Sequence, residues 1–361
     1  MSNYFPDVLQ QFDIQGSLIA FEEIKGGNIH RSFVSTWEQN NCETRFLHQE
    51  MNTHVFKDPN ALMQNTQILL DHINNSSIRF KRSYQVIRTR SAAPYLFTEQ
   101  DRFWRTFSYI DGTYSVEHCS SSKQVAQIAS AFAKFQMILI TLDSSCLKPV
   151  LPGFRDLPKR FQDLEQERQR SVENQAEDAK ALFDKILSQR SLVQSFYAST
   201  NHPQVPKRIT HGDLKVSNVL FDTSTEEVVS VVDLDTCLPG SLAFDFGDFV
   251  RSACVSCSED EINVDQIAVR QDYIECLFEA FIRPLSHLLT QRETEALAVA
   301  PAVVAVTLAA RFLRDFLIGD VYFKVRYPKH NLNRAITQYA IFEKLLNQRD
   351  FISRLCRNLK K

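Results

Sequence analysis

Two short apolar segments joined by a polar turn constrain the fold of this chain more than any other feature. The first segment, Val219–Phe221, ends a stretch that begins at Ile209, and the second, Val228–Val232, is β-branched and almost wholly apolar, as a buried strand is. The residues between them, Asp222–Glu227, are polar and suit a turn. The sequence therefore predicts a β-hairpin preceded by a loop and followed by an acidic segment.

Oxygen-bearing side chains stand at the open ends of this predicted hairpin, namely Asp213, Asn218, Asp233 and Asp235. Carboxylate and amide oxygens are the ligands that Mg²⁺ prefers. Asp213 and Asn218 also have the spacing of the Asp and Asn in the catalytic loop of protein kinases, where the Asp accepts the proton of the attacking hydroxyl and the Asn holds a metal. We interpret Asp213 as a base, and Asn218 and Asp233 as metal ligands. The alternative is an ordinary polar turn between two strands.

A second acidic motif lies downstream. Asp245-Phe246-Gly247 matches the metal-binding motif of protein kinases, but it falls well past the end of the second predicted strand, whereas Asp233 falls at that end. We therefore assign the metal to Asp233. We expect Asp245 to brace the catalytic loop through hydrogen bonds to its backbone.

Paired glycines follow the first predicted strand, Leu18–Ile24. Gly26, Gly27 and Asn28 precede small polar residues, and such a turn lets backbone N–H groups approach phosphate oxygens closely. The same pattern also fits a plain hairpin turn. Beside a catalytic loop, we interpret it as a loop that holds the phosphates of a nucleotide.

The third predicted strand, Arg45–Glu50, lies where a protein kinase carries the Lys that pairs with the phosphates. No Lys occurs in this segment, and His48 or Gln49 takes its place, with Lys57 beyond it. We assign Gln49 to nucleotide binding.

The hydrophobic period changes from 2 to 3.6 after residue 121, and Ser122–Leu139 has the apolar spacing of a long amphipathic helix. The change predicts a nucleotide-binding lobe over residues 1–110 and a catalytic and substrate-binding lobe over residues 111–361. Tyr109 and Ile110 stand at the expected hinge, where the backbone would hydrogen-bond adenine.

Composition narrows the class of protein. At 361 residues, with 44% hydrophobic and 23% charged residues, the chain is typical of a soluble globular protein with two lobes. Its net charge of −2 gives no reason to expect a nucleic acid or an anionic membrane as partner. The N-terminus has no signal-peptide pattern, and the longest apolar run, Ala296–Ala310, predicts a buried helix.

The eight cysteines are scattered, and only Cys254 and Cys257 form a C-x-x-C pair. A zinc site would need a second pair or nearby His ligands. We therefore expect buried free thiols and a reducing, cytoplasmic location.

Arg311 and Asp315 come directly after the longest apolar run. A buried cation needs a partner, and Asp315 lies one helical turn beyond Arg311. Two interpretations stay open at this point: the residues form a structural ion pair, or they line a cup for the substrate.

The marks that the chain shares with a known family are His211-Gly212-Asp213, Asn218, Val232-Asp233, Gly240 and Asp245. In these residues it resembles the aminoglycoside phosphotransferase and choline kinase family. The resemblance implies an α+β class and a bilobal protein-kinase-like fold, with a small antiparallel-sheet N-lobe and a larger, mainly helical C-lobe.

Within that family the chain is similar, nearly end to end, to the bacterial N-acetylhexosamine 1-kinases. The shared segments are Gly27–Phe33, Gln49–Thr53, Ile209–Leu220, Val232–Thr236, Pro239–Ser241, Phe244–Asp248, Arg311–Leu313, Gly319–Phe323 and Tyr327–Leu332. The resemblance implies transfer of the γ-phosphoryl group of ATP, with Mg²⁺, to the anomeric hydroxyl of N-acetylglucosamine or N-acetylgalactosamine. Gly212 departs from it, because those kinases carry a polar residue there.

The resemblance also implies roles for individual residues. Asp213 would be the base, with Lys215 supplying positive charge near the γ-phosphate, and Asn218 and Asp233 would hold Mg²⁺. The sugar contacts would be His30, Asp235, Arg311, Asp315 and Tyr322. The implied partners are ATP and a small sugar, without nucleic acid or membrane, for a monomer or weak homodimer.

Two alternatives are kept. The first is a kinase of the same fold that acts on another sugar, an amino alcohol or an aminoglycoside. The second is a kinase-like binding module without catalytic activity, against which the intact Asp213, Asn218 and Asp233 argue.

Overall fold

The computed structural model describes residues 4–24, 29–171, 177–257 and 261–360. The chain divides into two compact units. The first consists of Met1–Tyr114, Cys146–Pro152 and Phe221–Ser230, and the second of Ser115–Ser145, Gly153–Leu220 and Val231–Lys361. The first unit thus extends past the division expected after residue 110 and includes two later segments.

The first unit is built on an antiparallel sheet with two helices. Its elements are α1 (Tyr4–Leu9), β1 (Ser17–Ile24), β2 (Arg31–Gln39), β3 (Cys42–Glu50), α2 (Pro59–Asn75), β4 (Val86–Ile87), β5 (Leu96–Phe97), β6 (Phe103–Ser108) and β7 (Thr113–Tyr114). The sheet has the order β1-β2-β3-β6-β4, with β5 also paired to β6. Every pair of strands in it is antiparallel.

One face of this sheet forms an apolar core with α1 and the segment that follows it. The core contains Phe12, Phe33, Trp37 and Trp104. His48 lies on the same face, where its ring nitrogens are 2.6 Å from Ser35 Oγ and 2.8 Å from Thr106 Oγ1. Because side chains alternate along a strand, the next residue of β3 lies on the opposite face.

The second unit is mainly helical. The elements after residue 114 are α3 (Ser122–Leu139), α4 (Leu157–Ser171), α5 (Glu177–Ser188), α6 (Arg190–Thr200), β8 (Arg208–Thr210), β9 (Val219–Asp222), β10 (Val228–Val231), β11 (Leu238–Gly240), α7 (Leu242–Ala253), α8 (Gln271–Leu277), α9 (Arg283–Leu285), α10 (Gln291–Leu297), α11 (Ala300–Leu317), α12 (His330–Leu346) and α13 (Arg349–Arg357). A π-helical turn, Phe278–Ile282, lies between α8 and α9. Strands β9 and β10 form the predicted hairpin, and at this hairpin the chain passes into the first unit and back.

The Pro and Gly of the segment Leu238–Gly240 predict a turn, and that prediction is wrong. It forms strand β11, which pairs antiparallel with β8, so that Leu238 faces Thr210. A two-stranded sheet consists only of edge strands, so it tolerates Pro239, which lacks an N–H donor.

The buried helix predicted from the longest apolar run is α11, although it begins at Ala300 because Ala296 and Leu297 belong to α10. Helix α7 packs closely against its first turn: a Cβ atom on Gly247 would lie 2.6 Å from the carbonyl oxygen of Ala300. Within the described ranges, no single helix has the length and hydropathy to cross a membrane. The pair α10 and α11, bent by 64°, passes by length and composition only.

All eight cysteines are free thiols, as predicted. Burial was predicted for all of them, but it holds only for Cys237, Cys254 and Cys356, and the thiols of Cys42 and Cys146 are exposed.

Candidate active site

Helix α7 holds the loop between β8 and β9 by its backbone. The carboxylate of Asp245 accepts hydrogen bonds from the backbone N–H groups of His211, at 2.8 Å, and Gly212, at 2.9 Å. The predicted bracing role of Asp245 is confirmed. Burial raises the pKa of Asp245, while Arg155 and His211 act in the opposite direction.

Two further residues of α7 accept hydrogen bonds from the backbone of the same loop. Asp248 Oδ2 accepts from Leu214 N at 3.0 Å, and Ser252 Oγ accepts from Val216 N at 3.1 Å. Positions 245, 248 and 252 are spaced by three and four, so their side chains share one face of the helix. The sequence analysis missed Asp248 and Ser252, although a polar row at helical spacing in an apolar helix was a signal for them.

The entry to the loop has room only for glycine. Gly212 has φ of +83°, and a Cβ atom there would lie 2.6 Å from the carbonyl oxygen of Thr236. His211 is packed beside Phe132 and Phe135, and its Nε2 lies 3.0 Å from the carbonyl oxygen of Val232. His211 is therefore a packed and hydrogen-bonded support of the loop.

Asp213 projects from this loop with its side chain 32% exposed. The Lys215 ammonium lies 2.9 Å from its Oδ2, and Asn218 Nδ2 donates to its carbonyl oxygen at 2.9 Å. Burial alone would raise the pKa of Asp213, but Lys215, His211 and Arg251 hold the pKa below its usual value. The arrangement presents a deprotonated, oriented and accessible carboxylate, which is what a general base requires.

Asp233 follows β10 in a left-handed conformation, with φ of 65° and ψ of 67°. Such a conformation is uncommon for a residue with a side chain and recurs at functional sites. Val232 N donates to the carbonyl oxygen of Asn218 at 2.9 Å, so the strand end is tied to the catalytic loop. Burial and the neighbouring carboxylates of Asp235 and Asp213 raise the pKa of Asp233.

These residues fit a magnesium ion bound with a nucleotide. Among the described residues, no cluster of three or more His, Cys, Asp or Glu side chains could hold a metal. Mg²⁺ in nucleotide sites, however, takes one or two protein ligands and completes its shell with water and phosphate oxygens. The crowded carboxylates around Asp233 favour a cation there. Asp235 is buried in the short 3₁₀ turn Leu234–Thr236 beside it.

The nucleotide-binding residues predicted in the first unit are partly described. Gly26, Gly27 and Asn28 lie outside the described residues. Gln49 donates to Ser32 Oγ at 3.1 Å and accepts from Arg105 Nε at 2.9 Å.

Ser32, Gln49 and Arg105 are paired side by side across β2, β3 and β6. Arg105 is a buried cation that the sequence analysis missed, because only strand pairing brings it beside Gln49.

The backbone at the predicted hinge is partly engaged within the first unit. Tyr109 N donates to the carbonyl oxygen of Arg45 at 3.1 Å, and Thr113 Oγ1 donates to the carbonyl oxygen of Ile110 at 2.7 Å. Ile110 is buried, and across the described ranges its N–H group has no hydrogen-bond acceptor. A ligand can therefore supply the acceptor for this N–H group.

The structure brings Arg311 and Tyr322 together in the second unit. The Arg311 guanidinium lies 5.6 Å from the ring centroid of Tyr322, 5.9 Å from Phe154 and 5.3 Å from Phe323. Tyr322 is 38% exposed.

Of the two interpretations left open for Arg311 and Asp315, the structural ion pair does not form among the described residues. Asp315 instead accepts the N–H groups of Tyr322 and Phe323, at 2.8 and 2.9 Å, and Asn331 Nδ2 at 2.9 Å. Because these donors occupy its carboxylate, Asp315 folds the loop that carries Tyr322.

Two more arginines, Arg160 of α4 and Arg314 of α11, lie near Arg311. Burial lowers the pKa of Arg160, and the charges of Arg311 and Arg314 lower it further. Arg160 donates to the carbonyl oxygen of Gly153 at 3.1 Å, and Arg314 pairs with Glu167 at 3.4 Å. We call Arg160, Arg311, Arg314 and Tyr322 the arginine–tyrosine cluster.

His30, the remaining predicted sugar contact, belongs to the first unit. Its Nδ1 accepts from Asn52 N at 3.0 Å, and its ring stacks on Phe56 at 5.4 Å. His30 is thus part of the turn that leads into β2, and it shares no element with the arginine–tyrosine cluster.

An antiparallel sheet unit, a mainly helical unit and a braced loop that leads from the Asp213 carboxylate into a β-hairpin together define a kinase-like fold, as predicted. An aminoglycoside phosphotransferase from Alicyclobacillus acidocaldarius is similar at 17% identity and a TM-score of 0.59, over 98% of this chain and 96% of that one.

Two other solved structures have the same fold. A Plasmodium vivax ethanolamine kinase matches at 14% identity, over 89% of this chain and 82% of that one, with a TM-score of 0.58. A Cryptosporidium parvum choline kinase matches at 16% identity, over 97% and 95%, with a TM-score of 0.56. The model of the phosphotransferase enzyme family matches residues 24–273. This chain belongs to that family.

Proposed function

We propose that this protein is an ATP-dependent kinase that phosphorylates the anomeric hydroxyl of an N-acetylhexosamine, N-acetylglucosamine or N-acetylgalactosamine, to give the sugar 1-phosphate. The observation that carries the kinase activity is the exposed Asp213 carboxylate, 2.9 Å from the Lys215 ammonium, on a loop whose backbone α7 fixes. The choice of sugar rests on the resemblance of the sequence to N-acetylhexosamine 1-kinases.

The reaction is an in-line transfer. The anomeric oxygen forms a bond to the γ-phosphorus, the bond from that phosphorus to the β,γ-bridging oxygen breaks, and ADP leaves. The hydroxyl proton passes to the Asp213 carboxylate. An anomeric hydroxyl is more acidic than an ordinary alcohol, so Asp213 contributes by orienting it as well as by accepting its proton. Lys215 places positive charge beside the transferred group.

Asn218 and Asp233 would hold Mg²⁺. When bound, the ion would neutralise negative charge on the phosphate oxygens. The protein itself positions both side chains. Asn218 Nδ2 donates to the carbonyl oxygen of Asp213. Asp233 directly follows Val232, whose N–H group donates to the carbonyl oxygen of Asn218.

The first unit supplies the nucleotide site in this proposal. The Ile110 N–H group would donate to adenine, in keeping with the predicted hinge. Gln49 and its neighbour Arg105 would take the place of the third-strand Lys, and Gly26, Gly27 and Asn28 would cover the phosphates.

The arginine–tyrosine cluster favours a neutral sugar as acceptor. Three guanidinium groups repel a cation, whereas they can donate hydrogen bonds to sugar hydroxyl and acetamido oxygens. The exposed ring of Tyr322 offers an apolar face to a sugar ring. The solved structures with this fold include kinases of choline, ethanolamine and aminoglycosides, which carry positive charge, and the cluster argues against such acceptors here.

The test is an acceptor panel with ATP and Mg²⁺ that contains N-acetylglucosamine, N-acetylgalactosamine, glucose, choline, ethanolamine and an aminoglycoside. ADP release gives the rate, and phosphorus NMR shows which oxygen carries the phosphate. We expect turnover with the N-acetylhexosamines and phosphate on carbon 1. Turnover confined to choline or the aminoglycoside would overturn the acceptor assignment, and nucleotide binding without transfer to any acceptor would identify an inactive binding module.

We further propose that the protein is cytoplasmic, in keeping with its eight free thiols, and a monomer or weak homodimer. Light scattering across a concentration series tests the oligomeric state.

A further inference from the structure

Arg155 lies beneath the catalytic loop and connects the two segments that carry the reactive side chains. Its Nη1 donates to Thr210 Oγ1, and its Nη2 lies 3.2 Å from the carbonyl oxygen of Thr210 and 3.4 Å from that of Thr236. Thr210 stands three residues before Asp213, and Thr236 stands three residues after Asp233. One guanidinium therefore joins the segment of the base to the segment of the predicted metal ligand.

Glycines provide the space that this guanidinium occupies. A Cβ atom on Gly240 would overlap Nη1 of Arg155, and one on Gly212 would lie 2.8 Å from Nη2. Gly240 belongs to β11 and Gly212 to the catalytic loop. Two separate segments therefore have a residue without a side chain at the place where the guanidinium of Arg155 lies.

Electrostatic attraction to Asp245 also stabilises Arg155 at this position. Burial lowers the pKa of Arg155, and the carboxylate of Asp245 raises it. Asp245 is the residue that accepts the N–H groups of His211 and Gly212. The guanidinium also lies 6.0 Å from the ring of Phe244. Arg155 and Asp245 thus hold the start of the loop from two sides, one through carbonyl oxygens and the other through N–H groups.

We propose that Arg155 is a positioning residue for phosphoryl transfer, which sets the separation of Asp213 and Asp233 by bridging the backbones of Thr210 and Thr236. This inference rests on the proposed kinase function. The preceding residue, Phe154, lies against Arg311, so the same turn contacts the arginine–tyrosine cluster and the catalytic loop. Phe154 and Arg155 therefore connect the arginine–tyrosine cluster with the catalytic loop that carries Asp213.

The first test compares Arg155→Lys with Arg208→Lys. Lysine keeps the charge but lacks the planar fork that reaches two carbonyl groups. We expect Arg155→Lys to lower kcat about 10- to 100-fold, the scale of a small misplacement of reacting groups, with KM for ATP nearly unchanged. Arg208 is a matched control, because it is also an arginine of the second unit that donates to groups within the fold, but its partners are Glu293 and the carbonyl oxygen of Leu288. Its Lys variant should lose melting temperature and keep kcat.

The second test uses the space at Gly240. In the wild-type background Gly240→Ala displaces the guanidinium, so kcat should fall about as far as in Arg155→Lys. In an Arg155→Ala background that overlap is gone, and Gly240→Ala should change kcat less than about threefold.

Three outcomes overturn the proposal. Arg155→Lys retains wild-type kcat, or Arg208→Lys lowers kcat as much as Arg155→Lys does, or the effects of Arg155→Ala and Gly240→Ala multiply. A wild-type protein that transfers phosphate neither to an acceptor nor to water would overturn the kinase function, and this inference with it. An active wild type with unaffected variants would overturn this inference alone.

Discussion

At the scale of single residues, the site depends on backbone groups as much as on side chains. Four N–H groups of the catalytic loop are satisfied by α7, and Asp213 is placed by that backbone and by Lys215 and Asn218. A substitution at Asp213 should therefore change chemistry without changing the loop, because the bonds that shape the loop are made elsewhere.

We predict that Asp213→Asn lowers turnover by about 10²-fold or more, the scale of a lost general base. The measurement is kcat with the best acceptor of the panel, at saturating ATP. Nucleotide affinity and the circular dichroism spectrum should match the wild type. Turnover near the wild-type value would remove Asp213 from the role of base.

His48 gives a second prediction at this scale. Burial lowers its pKa to about 3, so the folded protein keeps His48 neutral, whereas the unfolded chain takes up a proton below its ordinary pKa of 6.5. The unfolded state then binds more protons, and stability falls as pH falls from about 6.5 to about 3. Between pH 7 and pH 5 this residue should cost about 2 kcal/mol.

Urea unfolding of the wild type and His48→Gln at the two pH values measures this term. Glutamine can still contact Ser35 and Thr106 and does not titrate, so the variant should lose less stability on acidification by about that amount. Equal losses in both proteins would show that His48 is not the group that takes up the proton.

At the scale of elements, the close approach of α7 and α11 depends on Gly247. A methyl group there would meet the carbonyl of Ala300 at 2.6 Å and Val304 Cγ2 at 3.0 Å. Gly247→Ala should therefore destabilise the fold by about 1–3 kcal/mol, the usual cost of overpacking. Thermal unfolding measures it.

Gly319→Asn serves as the control for Gly247→Ala. Nothing lies within 4 Å of a Cβ atom at Gly319, and asparagine tolerates its left-handed backbone. A Gly247→Ala variant as stable as that control would show that α7 and α11 can separate without cost.

The sequence predicted those helices and strands whose signals lie in consecutive residues. The helix Ser122–Leu139 has the predicted bounds, and the hairpin of β9 and β10 follows from apolar runs around a polar turn. Strand β11 was missed because three residues that include Pro and Gly resemble a turn, and their partner β8 lies far away in sequence.

The same limit applies to the site. Asp213, Asn218 and Asp233 were found because their spacing along one hairpin brings them close. Arg105 and Arg155 were not, because each meets its partners through tertiary contacts that no local pattern records. The hydrogen bonds of Asp315 were not predicted for a similar reason: its carboxylate bonds to a loop beyond its own helix.

At the scale of the whole molecule, a buried ion pair joins β8 to α10. Arg208 pairs with Glu293, whose side chain is fully buried and also caps α10 through Thr290. Removing one partner leaves an uncompensated buried charge. We predict that Glu293→Gln costs about 3–5 kcal/mol of unfolding free energy.

Chemical denaturation measures that cost, with Glu165→Gln as the control, since Glu165 pairs with Arg190 at the surface. The surface substitution should cost less than about 1 kcal/mol. Similar losses of unfolding free energy for the two variants would mean that the Arg208–Glu293 pair contributes no more to stability than a surface ion pair.

The contact of Gly247 with Ala300 has one more consequence. The anchored end of α11 is about 16 Å from Arg311, because eleven residues of helix separate them. The residues around Arg311 can therefore be substituted without disturbing the packing of the first turn of α11 against α7.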